Sequence, residues 1–225
     1  MNLKVLVIIS SLFIFLGCSD TDNTKAFKIA VKNNTNAQPL SPFVVLSHNE
    51  DYHLFKVGMP ASIELEHLAE GGDHHPLVVS KTSNNNIYNT FFKSEEIPPG
   101  GTESIILSSI NHNHKYLSIA SMLVNTNDAF IGETGLNISS LNVGESIRIN
   151  APVWDAGTEA NSELAATIPG PVSSGEGFNA IRNDKNQVVI HPGVISNHDG
   201  LTYSALDVNL RFLNPGAVIF ITRIK

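Results

Sequence analysis

Short runs with a two-residue hydrophobic period, each cut off by a cluster of turn formers, constrain this chain more than any other feature. In Phe27-Lys28-Ile29-Ala30-Val31-Lys32 the apolar Phe27, Ile29 and Val31 fall on one face and both lysines on the other. That is the pattern of a half-buried strand. The cluster Asn33-Asn34-Thr35-Asn36 ends it. Further strands are predicted over residues 104–107, 116–124, 146–150 and 188–190. Residues 206–212 alternate, Asn214-Pro215-Gly216 supplies a turn, and 217–224 are rich in β-branched side chains, so this pair reads as a terminal hairpin.

One segment has helical spacing. Residues 61–70 follow Pro60, set Leu65, Leu68 and Ala69 on one face, and stop at Gly71-Gly72. It is expected to pack over an open end of the sheet. No strand-helix alternation of the kind a parallel sheet needs is present. The expected class is therefore all-β, an antiparallel β-sandwich with one short helix.

Only 16% of the 225 residues are charged, and Asn, Ser and Thr carry the polarity alongside 16 Gly and 11 Pro, as in a turn-rich β protein. A net charge of -7 without a dense Lys/Arg cluster argues against nucleic acid as a partner.

The single cysteine ends a second distinctive segment. Met1-Asn2-Leu3-Lys4 carries one positive charge, residues 5–16 are almost wholly apolar, and Gly17-Cys18 follows. This apolar run is too short to span a bilayer of about 30 Å as a helix and suits a signal-peptide core. Phe15-Leu16-Gly17-Cys18 resembles a bacterial lipobox, which implies a signal peptide over 1–17, lipidation of Cys18, and a lipid-anchored protein. Ser19 at the next position resembles Gram-negative lipoproteins sorted to the outer membrane. Residues 18–26 then read as the lipidated Cys and a flexible tether, and 27–225 as one folded domain. With Cys18 used as an anchor, disulfides, Cys-ligated zinc and a Cys nucleophile are all excluded.

Two loops following apolar runs carry carboxylates beside glycine: Asn127-Asp128-Ala129-Phe130-Ile131-Gly132 and Trp154-Asp155-Ala156-Gly157-Thr158-Glu159. Loops at one end of a sandwich are places where oxygen donors converge on a hard cation. Asp155 and Glu159, four apart across a glycine, are able to face one ion. Phe130 and Trp154 are read as packing that fixes the roots of these loops, and Phe178 as tucking its loop into the core.

These loops, with Asp51-Tyr52-His53-Leu54-Phe55-Lys56-Val57-Gly58-Met59-Pro60-Ala61-Ser62, Leu68-Ala69-Glu70-Gly71-Gly72, Ser121-Met122-Leu123 and Arg223-Ile224, stand in the order seen in spondin domains. The chain resembles exported bacterial members of that family, related to the spondin domain of F-spondin. Trp-Asp-Ala-Gly-Thr followed by an acid is the most specific element of the likeness. The resemblance implies a β-sandwich holding a calcium ion at one end on Asp128, Asp155 and Glu159. Animal members usually have Asp where Glu159 stands, so the donor here reaches one methylene further. The family cysteines are missing. The implied role is a cell-surface or periplasmic interaction module with a protein or glycan partner, and no catalysis.

A rival reading comes from the nine His residues. His74-His75 and His112-Asn113-His114, completed by His191 or His198, have spacings that could supply imidazoles to zinc in a metal-assisted hydrolase. A Gly-x-Ser-x-Gly elbow is absent, which disfavours a hydrolase of that architecture.

Overall fold

The computed structural model describes residues 24–110 and 112–225. The proposed signal peptide, Cys18 and residues 19–23 of the tether lie outside the described residues. Strand β1 (Lys25–Asn33) buries Phe27, Ile29 and Val31 and exposes Lys28 and Lys32, as its alternation predicts. It pairs antiparallel with β4 (Thr102–Ile110) on one side and with β10 (Ala217–Arg223) on the other. β7 (Ser146–Ala151) extends this sheet beyond β10 in the order β4-β1-β10-β7.

The second sheet has six strands in the order β3-β2-β5-β6-β8-β9. They are β2 (Val44–His48), β3 (Ile87–Phe92), β5 (Tyr116–Met122), β6 (Ala129–Asn137), β8 (Val153–Asp155) and β9 (Val189–Ile190). All pairings are antiparallel. The main core lies between the sheets, where Phe27, Ile29, Ile219 and Ile221 of the first meet Val45, Leu117, Ile119, Ile131 and Val153 of the second. The chain is thus an all-β sandwich.

A second core covers the outer face of the six-stranded sheet. Helix α1 (Ile63–Gly71) lays Leu65, Leu68 and Ala69 on Val44, Leu46, Ala120 and Phe130. Ser62 caps it by accepting the Leu65 N–H at 3.2 Å, and Gly72, at φ 68°, ends it in the left-handed region where glycine is unstrained. A shorter helix, α2 (His75–Val79), starts with Pro76 inside its first turn and buries Leu77. All five β2 residues are therefore buried, on both faces of the strand.

Four expectations need correction. There are two short helices, not one, and α1 lies across a sheet face rather than over an open end. Phe178 stacks on His67 of α1, with ring centroids 3.6 Å apart, instead of entering the core. The terminal hairpin does not form: β10 has both edges occupied by β1 and β7. Residues 206–212 contain a 3-10 turn over Val208–Leu210, opened by the Asp207 carboxylate accepting the Asn209 N–H at 2.7 Å. Leu206, Leu210 and Phe212 are buried while Val208 is exposed, so the apparent period of two has no strand behind it.

Candidate metal centre

Asp128 and Asp155 flank the short β6–β8 pairing, in which Ala129 stands opposite Asp155. The turn before β6 is closed by Thr126, whose hydroxyl donates to Leu123 O at 2.6 Å and accepts the Ala129 N–H at 3.2 Å. This turn directs Asp128 towards the loop that leaves β8. There its Oδ2 accepts the N–H groups of Thr158 at 2.9 Å and Glu159 at 3.2 Å, and the Thr158 hydroxyl at 3.3 Å. Asp155 Oδ1 accepts the Gly157 N–H at 2.7 Å, and Oδ2 accepts Asn161 Nδ2 at 2.6 Å. The three acids singled out in the sequence thus lie about one loop, buried to 0%, 3% and 6% residual exposure for Asp128, Asp155 and Glu159.

Two oxygens in this corner have no hydrogen-bond partner: Asp128 Oδ1 and Glu159 Oε2, both buried. A carboxylate in such surroundings resists ionisation. Burial, followed by the charge of Asp155, pushes Asp128 up to about 7. Burial, then Glu70, then Asp128, pushes Glu159 up to about 8. Asp155 is raised by burial, against the opposing hydrogen bonds from Asn161 and Gly157. Glu70, buried at the end of α1, is raised by burial while Asn179 and Thr158 hydrogen bonds oppose the shift.

The acids share a corner without closing into a cage. Among the described residues, no three His, Cys, Asp or Glu side chains stand at the spacing of a metal centre. A cation here would need backbone carbonyls or water to complete its oxygen shell.

Much of the site's support escaped sequence reasoning. Asn127, inside the quoted motif, ties the loop after Glu159 by donating to Thr167 Oγ1 at 2.7 Å and accepting the Glu163 N–H at 3.3 Å. Asn125 exchanges hydrogen bonds with Gln38, a residue without any spacing signal. The segment around residue 185 straps the acidic loop: Asn186 N–H donates to Gly157 O at 2.7 Å and Asn183 N–H to Thr158 O at 3.1 Å. Arg182 reaches Glu66 of α1 at 2.6 Å. Phe130 is fully buried against Phe55, and Trp154 packs on Phe55 while its Nε1 donates to Gly132 O at 3.1 Å, so both aromatics hold loop roots.

The histidines are dispersed into separate packing environments. His74 packs on Phe92, His114 stacks on Tyr88, and His191 lies buried against Phe212. His75 and His198 are exposed, and the His112 side chain lies outside what is described.

No curated protein matches the chain significantly. The Spondin_N family model matches residues 26–174, a span that contains α1, both acidic loops, all of β1 but its first residue, and the seven strands β2 to β8, while β9 and β10 lie beyond it. On that match the chain belongs to the spondin N-terminal domain family, whose members are extracellular β-domain modules.

Proposed function

We propose that this spondin-family domain is an exported, lipid-anchored calcium-binding module of the bacterial cell envelope, acting by interaction rather than catalysis. The observation that carries the calcium reading is the pair of orphaned buried oxygens, Asp128 Oδ1 and Glu159 Oε2, among carboxylates that resist ionisation. A buried acceptor without a donor is costly, and a divalent cation is a natural partner for several at once. Asp128, Asp155 and Glu159 are the residues that would hold it. When bound, calcium supplies positive charge that offsets their mutual repulsion.

The chain's own residues do the shaping. Asp128 gathers the backbone of Thr158 and Glu159 through Oδ2 and keeps Oδ1 free. Asp155 is held on both oxygens and retains a lone pair on each. Gly157, at φ 69°, makes the tight turn between Asp155 and Glu159. Ordered in this way, the loop face at one end of the sandwich meets a protein or glycan partner. Cys18, acylated at the head of the tether, would place the domain at the outer membrane, and several acyl chains hold a protein stably where one does not.

Calorimetric titration of the purified protein tests this reading. The expected outcome is one calcium site with a Kd of about 10⁻⁴ to 10⁻³ M, the range of extracellular modules. It should be abolished in Asp155→Asn, whereas equal binding by that variant would overturn the assignment.

A further inference from the structure

From Asp155 a chain of hydrogen bonds leads outward to a residue beyond the family match. Asp155 Oδ2 accepts Asn161 Nδ2 at 2.6 Å, Asn161 Oδ1 lies 3.0 Å from His191 Nε2, and the Gly193 N–H donates to His191 Nδ1 at 3.0 Å. Each link dictates the next. A backbone N–H only donates, so His191 Nδ1 is the acceptor and the ring proton sits on Nε2. Nε2–H then donates to Asn161 Oδ1, which turns the Asn161 amide so that its NH₂ faces the carboxylate. His191 is 5% exposed and Phe212 packs on its ring, so the ring has no freedom to swing away. The Pro192-Gly193 turn carries the N–H that starts the sequence, and Gly193 adopts φ 99° there.

We propose that Asn161 and His191 are positioning residues for the cation site: the His191 tautomer, set by Gly193, orients Asn161, which aims the Asp155 carboxylate. The inference rests on the calcium reading above and adds to it a contribution from the segment that follows the family match. Without Asn161, Asp155 keeps only the Gly157 N–H on its other oxygen and rotates more freely about its side-chain bonds. Outer partners of metal ligands typically govern affinity by 10- to 100-fold when removed.

The test uses the full-length protein, calcium titration, and terbium as a luminescent stand-in excited through Trp154, which adjoins Asp155. Asn161→Ala and His191→Phe should each weaken calcium by about tenfold or more. Terbium lifetimes in light and heavy water should report about one additional bound water in each, as a displaced carboxylate oxygen is replaced. Two conservative variants separate positioning from packing. His191→Gln keeps an N–H near the Nε2 position and should bind within about threefold of the unsubstituted protein, while His191→Asn, which reaches only the Nδ1 position, should fall with His191→Phe. Melting in chelator confirms that each variant is folded, and the Gln/Asn pair decides the matter if Asn161→Ala is not. Equal affinity and terbium hydration in His191→Asn and His191→Gln would overturn this inference while leaving the calcium reading intact. Failure of the unsubstituted protein to bind calcium or terbium overturns both.

Discussion

Asp128 and Thr158, thirty positions apart, are joined twice: one oxygen of the carboxylate takes both the Thr158 N–H at 2.9 Å and its hydroxyl at 3.3 Å. The same oxygen takes the Glu159 N–H, so the clamp uses Oδ2 alone and Oδ1 is left over. An asparagine carbonyl accepts the same three donors, but brings no charge into a corner where burial and Asp155 disfavour one. Asp128→Asn should therefore melt at or above the unsubstituted temperature in chelator at pH 8. Calcium at about a hundredfold its Kd should stabilise the unsubstituted protein by about 2.7 kcal/mol and leave the variant unchanged. An identical calcium response in the two would show that Asp128 is a clamp and nothing more.

Calcium-free protein should lose stability as the pH rises from 6.5 to 8. Asp128 and Glu159 titrate near 7 and 8 in the folded state, well above their unfolded values, so the folded protein holds more protons in this window. Protonation favours the fold at low pH, and that contribution disappears as the pH passes through the raised values. The buried His191 works in the opposite sense: its folded value, pushed down to about 4 by burial, makes the unfolded chain the better proton binder below 6.5. The histidine effect fades as the pH rises past 6.5, while the loss from the two carboxylates continues up to 8 and dominates the window. Denaturant unfolding in chelator should show a loss of about 2 kcal/mol across the window. Saturating calcium should flatten it, and calcium binding at pH 7 should release protons, measurable as a dependence of the binding heat on buffer ionisation.

Legibility in the sequence followed solvent exposure. β1 was readable because its sheet leaves one face open, with Lys28 and Lys32 alternating against Phe27, Ile29 and Val31. β2 was not, because α1 covers what would have been its polar face and all five residues are buried, which removes the period. β8 is three residues long, too short to show one. Alternation misled at residues 206–212, where a capped turn brings Leu206 and Leu210 inward without a strand. In the acidic corner the two loops stood out as motifs, since their carboxylates are close in sequence to glycine and aromatic anchors. Asn161 and His191 carried no such signal: they meet across thirty positions, and a lone Asn or His has no spacing pattern to betray a hydrogen bond.

Gly157 combines a positive φ with no room for a side chain. Its φ of 69° already disfavours an L side chain, and a Cβ there would run into the backbone of Gln187, which cannot withdraw as a flexible side chain would. Gly157→Ala must displace the strap that Asn186 and Asn183 tie to this loop. A loss of about 2 kcal/mol or more is expected in urea unfolding, together with weaker calcium binding because the Gly157 N–H no longer meets Asp155 Oδ1. Gly58, whose φ of 80° is similar but whose added Cβ would meet open space, is the control: Gly58→Ala should cost only the conformational strain, about 1 kcal/mol, and leave calcium binding intact.

The ion pair between the buried Glu66 and the half-buried Arg182 ties the strap to α1, and its energetics should be asymmetric. Glu66 is 1% exposed, its Oε2 meets Arg182 at 2.6 Å, and its Oε1 has no partner. Arg182 also donates to Ala61 O at 2.9 Å and to Asn186 Oδ1 at 2.6 Å, so one guanidinium holds the start of α1 and the strap together. Arg182→Met strands a desolvated carboxylate and should destabilise by about 3 to 5 kcal/mol at pH 8. Adding Glu66→Leu removes the stranded charge along with its orphaned oxygen, and apolar neighbours Leu65 and Leu68 already line that helix. The double variant should recover most of the loss, giving a coupling of about 2 kcal/mol or more in a double-mutant cycle. Additive costs would mean that Arg182 acts through the Ala61 and Asn186 contacts rather than through Glu66.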